Sequence, residues 1–264
     1  MLEVTGLTRA YGSHLAIADV SFRVADGELV TIVGPSGSGK STLLRCVGGL
    51  LSPTSGQVVL DGAPVTRVPD RLAVVFQDYS RSLYPWLTVT DNVALPLRRP
   101  SQGRAGQGRS ARRASAQAAL ESVGLASFGG RYPWQLSGGM QQRVAIARAL
   151  ACDPVLLLMD EPFGSMDAQM REDLEDLVLR LRAERNMTIL LVTHDIDESV
   201  YTGDRVVVLT KGPGRVLGEV PVNLPWPRDQ ISTKELREFT RLRTEISRLV
   251  RGIVPTYPAP SNRE

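Results

Sequence analysis

ELVTIVGPSGSGKSTLLRCVGGL, residues 28–50, sets three kinds of local order one after another. Glu28–Val33 has the short, Val- and Ile-rich texture of a strand. Gly34, Gly37 and Gly39 then punctuate a loop in which the backbone turns without side chains in its way. From Lys40 onward Leu43, Leu44 and Val47 recur at helical intervals, which predicts a helix over Lys40–Leu50. The run Gly34-Pro35-Ser36-Gly37-Ser38-Gly39-Lys40-Ser41 fits G-x-x-x-x-G-K-[ST]. Its chemistry suits phosphate: the glycines let successive N–H groups converge on one anion, and the helix behind them presents its positive end. Lys40 adds a mobile cation for the β- and γ-phosphates, and the Ser41 hydroxyl is placed for Mg²⁺. A plain glycine-rich turn has no use for Lys-Ser after its last glycine.

Moving outward, strand-like runs are read at Leu2–Thr5, Ala18–Val24, Gln57–Leu60 and Ala73–Phe76. Val155–Met159, Thr188–Thr193 and Arg205–Thr210 are continuous apolar runs of strand length, as expected where a parallel strand is buried on both faces. Helical segments separate them, including Met140–Cys152, which ends at Asp153-Pro154. The alternation predicts an α/β fold. Asp160 and Glu161 follow the run 155–159, at the carboxyl edge of a strand, where ligands of open α/β sheets bind. A surface turn is the bland reading of that pair. Joined to the phosphate loop, Asp160 is a candidate for the Mg²⁺ shell and Glu161 for polarising a water that attacks the γ-phosphate in line.

The chain has 264 residues, 42% of them hydrophobic, with 31 Lys+Arg against 28 Asp+Glu. That balance excludes global disorder, and a net charge of +3 is too small to argue for nucleic acid. Cys46 and Cys152 belong to no Cys/His cluster, so zinc modules and disulfide scaffolds are not supported. No apolar stretch is long enough to span a bilayer and the N-terminus lacks a signal-peptide layout, so a cytosolic protein is expected. Residues 98–113 carry six Arg and no acid ahead of an expected helix Ala114–Val123. They read as a solvated loop, with contact to lipid head groups or nucleic acid as the other options. Thr233–Arg251 sets Leu236, Phe239, Leu242, Ile246 and Leu249 on one stripe, a terminal helix packed on the core or a partner-binding helix. The last ten residues look frayed.

Leu136-Ser137-Gly138-Gly139-Met140-Gln141-Gln142-Arg143 places Ser-Gly-Gly at the start of a second helix that has no lysine of its own. Bare N–H groups and a hydroxyl at such a start also hold phosphate. With this run the chain resembles the ATP-binding subunits of the ABC transporter family, over nearly all of residues 2–225. The resemblance implies an α/β P-loop NTPase core of ABC ATPase type, with an antiparallel β subdomain and an α-helical subdomain inserted at about 80–137. Residues 226–264 would be a C-terminal helical extension and tail. It further implies that Ser137, Gly138 and Gly139 reach the γ-phosphate of an ATP held by the opposite subunit on Gly34 to Ser41 and Thr42. One phosphate loop and one signature make two half-sites, so a head-to-tail dimer is expected.

By the same resemblance Tyr11, 29 residues before Lys40, would stack on adenine; read alone it is a Tyr near a turn. Gln77 would touch Mg²⁺ and the attacking water and link the core to the helical subdomain. His194 would sense the γ-phosphate, where a lone His is otherwise plain structure. Catalytic roles thus fall on Glu161, His194 and Gln77, and metal contacts on Ser41, Gln77 and Asp160. Asp167 fits the loop that crosses the dimer interface, although Gly164-Ser165-Met166 departs there from the family's more usual Ala-Leu before Asp.

Phe76-Gln77, Leu83-Tyr84-Pro85-Trp86-Leu87-Thr88-Val89, Asp91-Asn92-Val93 and Tyr132-Pro133-Trp134-Gln135 are similar to importers of nitrate, sulfonates and taurine. Tyr84, Pro85 and Trp86 either line a groove for a permease helix or pack inside the helical subdomain. The expected function is ATP-driven uptake of a small solute with ATP and Mg²⁺ as cofactors, on the cytoplasmic face of the membrane. Its expected partners are a second ATPase subunit, an integral-membrane permease and a solute-binding protein, without nucleic acid. A soluble ABC ATPase acting on DNA or ribosomes is the rival reading. It would call for coiled-coil arms or zinc fingers, but only about 60 residues separate Gln77 from Ser137. A nucleotide sensor without turnover is a third, weakened by the presence of both Glu161 and His194.

Overall fold

The computed structural model describes residues 1–78, 82–98, 108–164 and 166–252. They form two compact units, one of Met1–Val68 with the described residues from Thr188 onward, the other of Pro69–Met187.

The first unit holds two sheets. β1 (Leu2–Tyr11) and β2 (His14–Val24) form a hairpin closed at Tyr11 and His14, and β1 also pairs antiparallel with β4 (Ser55–Leu60), which carries the short β5 (Ala63–Pro64). β1 runs well past the predicted Thr5. Register shifts after Val4, Leu7 and Arg9 break the period-2 alternation that reveals a strand in sequence. The second sheet runs β10 (Val216–Pro221), β9 (Arg205–Leu209), β3 (Leu29–Val33) and β8 (Thr188–Val192). β3 lies parallel to both β8 and β9. All five residues of β3 and of β8 are buried, which is why both read as unbroken apolar runs. β10 adds antiparallel at the edge, a place that tolerates its Gly218 and Pro221. Arg205 binds Glu28 at 2.9 Å and also Glu219, tying β9 to its surroundings by charge.

α1 (Lys40–Val47) follows β3. It stops three residues short of the predicted Leu50 because Gly48 and Gly49 follow, with Gly49 at φ +66°. A Cβ there would stand 2.5 Å from the backbone of Arg67. Cys46 lies on its buried face, and burial pushes the thiol up to about 11, so it is an inert packing group.

The second unit pairs β6 (Leu72–Val75) parallel with β7 (Leu156–Asp160) and carries α2 (Val89–Ala94), α3 (Arg109–Ser122), α4 (Gly138–Leu150) and α5 (Ala168–Arg185). α3 begins five residues before the predicted Ala114. Arg and Ala are good helix formers, so Arg109–Arg113 joins the helix rather than the loop, and Arg113 lies 3.6 Å from Asp91. Residues 99–107 of the basic stretch lie outside the described residues.

The C-terminal extension returns to the first unit. α6 (Ile196–Thr202) and α7 (Arg237–Val250) pack together, and α7 buries Phe239, Leu242, Ile246 and Leu249. The apolar stripe is therefore internal packing rather than an open partner face. α7 starts later than the predicted Thr233. The Asp229 carboxylate accepts from the N–H groups of Ile231 and Ser232, and the Thr233 hydroxyl accepts from the N–H of Asp229, which holds this stretch in turns. Among the described residues, no helix is long and apolar enough to cross a membrane.

Candidate nucleotide site

In the first unit the sequence of β3, loop and α1 produces a cradle. Gly37 and Gly39 adopt φ of +79° and +81°, conformations that side chains disfavour. A Cβ on Gly39 would stand 2.5 Å from Ile17 and 2.7 Å from the carbonyl of Ala16. Ser38 and Lys40 are buried. The Lys40 ammonium donates to the carbonyls of Gly34 at 2.8 Å and Pro35 at 3.2 Å, so its charge is held against the loop's own backbone. Gly39 caps α1 without a side chain, and no acidic residue occupies the first turn. Ser41 and Thr42, half-buried, sit in that turn, while Ser36 is exposed and Pro35 half-buried. An anion there would meet a positive helix end with no competing carboxylate on α1.

Tyr11, exposed at the end of β1, has the Arg9 guanidinium 4.8 Å from its ring centre. His194, also exposed, follows β8. Behind it the Thr193 hydroxyl donates to the buried Glu198 carboxylate at 2.5 Å and accepts from the N–H of Asp195. Asp195 in turn caps α6 through the N–H groups of Asp197 and Glu198. This small network fixes the backbone from which His194 projects. Arg228, buried and part of no sequence motif, donates to the carbonyls of Tyr201 at 2.6 Å and Gly203 at 2.8 Å, steadying the far end of α6.

In the second unit Asp160 closes β7 and is buried, whereas Glu161 is half-exposed at φ +45°. A left-handed glutamate is uncommon and costs about 1–3 kcal/mol, which the surrounding structure must offset. Gln77 Nε2 donates to Glu161 Oε2 at 3.1 Å, so two predicted site residues 84 positions apart meet. Gln142, buried on α4, donates to the carbonyl of Pro162 at 2.8 Å. It thereby ties the Ser137 helix to the segment that carries Glu161. Only its place in the run 136–143 marked it in sequence.

Ser137 caps α4 by accepting from the N–H of Met140 at 3.3 Å. The cap uses a lone pair, so the hydroxyl proton stays available to an acceptor. Gly139 is buried, and a Cβ there would stand 2.7 Å from the sulfur of Met170. Met170 is placed by Asp167, whose carboxylate caps α5 through the Met170 N–H at 2.9 Å. Asp167 and Gly139 thus share a neighbour. Ser165 lies outside the described residues.

The second unit also carries two exposed aromatic pairs. Tyr84 and Trp86 lie 5.2 Å apart, and Tyr132 stacks on Trp134 at 6.0 Å, with both tryptophans 69% exposed. The first pair is anchored by buried Asn92, whose amide accepts from the N–H of Tyr84 and donates to the carbonyls of Tyr84, Leu87 and Thr88. In the sequence Asn92 stands out only as part of Asp91-Asn92-Val93. Asn92→Ala is expected to cost about 2 kcal/mol, because it leaves several backbone groups of the aromatic loop unpaired. Thermal unfolding of the variant checks this, and an unchanged midpoint would show that the loop holds itself.

Residues 17–164 match the family described as ABC transporter. The chain is 42% identical to the nitrate import ATP-binding protein NrtD of Synechocystis sp. over 260 residues, 95% of each chain. To the taurine import ATP-binding protein TauB of Yersinia pestis bv. Antiqua it is 44% identical over 223 residues, 84% of this chain and 85% of that one. The dimeric structure of MJ0796, a bacterial ABC transporter cassette, superposes with a TM-score of 0.72 at 36% identity, covering 84% of this chain and 99% of that one. A post-hydrolysis dimer of the same cassette, bound to ADP and Pi, gives a TM-score of 0.73. With this fold, these motifs and relatives alike over almost its whole length, the chain belongs to the ABC transporter family, as an ATP-binding subunit of the nitrate and taurine import branch.

Proposed function

We propose that this subunit hydrolyses ATP as half of a head-to-tail dimer and thereby powers uptake of nitrate, a sulfonate, taurine or a similar small solute through a separate permease. The observation that carries the reading is the coexistence, in one chain, of a lysine-bearing phosphate cradle and a lysine-free helix tip capped by Ser137. The two ends are complementary: one grips the phosphates of its own ATP, the other offers N–H groups and a hydroxyl to an ATP held by a second copy. The names of the relatives, import ATP-binding proteins for nitrate and taurine, favour solute uptake over nucleic-acid work.

In this reading Tyr11 stacks on adenine, and Gly34 to Thr42 hold the phosphates. Ser137, Gly138 and Gly139 engage the γ-phosphate of the second copy's ATP. Gln77 and Glu161 orient and deprotonate water, and His194 senses the γ-phosphate. Ser41, Gln77 and Asp160 are hydroxyl, amide and carboxylate oxygen donors, a hard set that suits Mg²⁺. The ion would supply charge neutralisation at the β- and γ-phosphates. Gln77 already donates to Glu161 and so keeps the carboxylate oriented as an acceptor. The dimer works from the cytoplasmic face, with the permease docking against the helical insert of about 80–137 and a solute-binding protein delivering cargo. Purified subunit should hydrolyse ATP slowly alone and faster when reconstituted with its permease. A rate indifferent to the permease would remove transport from the reading while leaving the ATPase in place.

A further inference from the structure

A cavity of about 760 Å³ lies in the first unit between the His194 loop and the C-terminal extension. On one side it is lined by His194, Asp195 and Asp197, on the other by α7 and the residue after it. Thr244, Ser247, Arg248 and Arg251 follow one another at helical spacing, so two hydroxyls and two guanidinium groups form one stripe facing the cavity. The stripe is held in place from behind, because Leu242, Ile246 and Leu249 are buried on the opposite side of α7. The acidic groups of the cavity are engaged: Asp195 caps α6, and Asp197 lies 3.6 Å from Arg243. Arg248 and Arg251 have no side-chain hydrogen bond or ion pair among the described residues, and none of the proposed catalytic roles uses them.

We propose that this groove binds a phosphorylated small molecule, with Arg248 and Arg251 gripping its phosphate oxygens and Ser247 adding a hydroxyl. Guanidinium forks beside hydroxyls match phosphate geometry, and each such bond is charge-assisted. The volume lies in the range of small-molecule sites and is far larger than one inorganic anion requires. The bound molecule would bridge α7 to the loop that carries His194, giving the extension a ligand of its own apart from ATP.

The test is calorimetric titration of the full chain with fructose 1,6-bisphosphate and with inorganic pyrophosphate, while a saturating non-hydrolysable ATP analogue fills the phosphate loop. Saturable binding of at least one probe is expected, weakened about tenfold or more in the Arg248→Gln/Arg251→Gln double variant. That variant should keep its melting temperature and basal ATPase rate. No saturable binding of either probe, or binding that survives the double substitution, overturns the site. So does loss of ATPase in the double variant alone, since the arginines would then serve the nucleotide. Absence of ATPase from wild type and variant alike would strike the proposed function instead, and leave the binding result to stand by itself.

Discussion

Glu161→Gln is expected to bind ATP with near wild-type affinity and to hydrolyse it about 10² to 10⁴ times more slowly, the usual contribution of a positioned general base. The amide keeps the size and polarity of the side chain but cannot take a proton from water. Its neighbour defines what else changes. Gln77 Nε2 donates to Glu161 Oε2 at 3.1 Å, and an amide at 161 can still accept that bond through its oxygen, so the local geometry should survive. Backbone strain at φ +45° is also unchanged, because the substitution leaves the left-handed conformation as it is. With ATP bound and not consumed, the two half-sites have no reason to part, and light scattering should find an ATP-dependent dimer that the wild type populates only transiently. Ordinary turnover in this variant would take the general-base role from Glu161. Slow turnover without dimer accumulation would separate hydrolysis from the shared-pocket reading.

What made this candidate site legible was locality. The phosphate loop and the signature each lie within eight consecutive residues, and their requirements are backbone requirements: glycine where φ is positive, as at Gly37 and Gly39, and a hydroxyl cap at the start of a helix, as at Ser137. Such demands leave a mark in any sequence that meets them. Strands buried on both faces were equally plain, since Leu29–Val33 and Thr188–Val192 have no polar face to confuse the pattern. The hairpin beyond Thr5 was hidden because bulges scramble alternation, and β10 because an edge strand can carry Gly and Pro. Long-range partners were beyond reach for a different reason. Gln142 on the Pro162 carbonyl and Arg228 at the end of α6 each satisfy buried backbone groups 20 or more positions away in sequence. Any polar side chain of suitable length could do so, and only the fold decides which one does.

Lys40→Ala is expected to weaken ATP binding by about tenfold to a hundredfold, the range for one lost hydrogen bond to a charged group. Two effects contribute and they can be told apart. The ammonium is the only side-chain cation within the run 34–41, so its removal deletes a charge-assisted contact to phosphate. It also donates to the carbonyls of Gly34 and Pro35, and without it those groups lose a partner and the loop loses a brace. Lys40→Met restores most of the buried stem while leaving out the charge. If the charge dominates, Lys40→Met and Lys40→Ala should be equally poor in a nucleotide titration, although the methionine variant unfolds at the higher temperature. If loop bracing dominates, affinity should follow stability across the pair. Lys40→Arg sharpens the choice, because a guanidinium keeps the charge but is too broad and planar to occupy the pocket of a compact ammonium. Arginine should therefore fail to restore affinity. An ATP titration unchanged in Lys40→Ala would mean that the cradle's backbone N–H groups hold the phosphates by themselves, and the lysine would lose its place in the site.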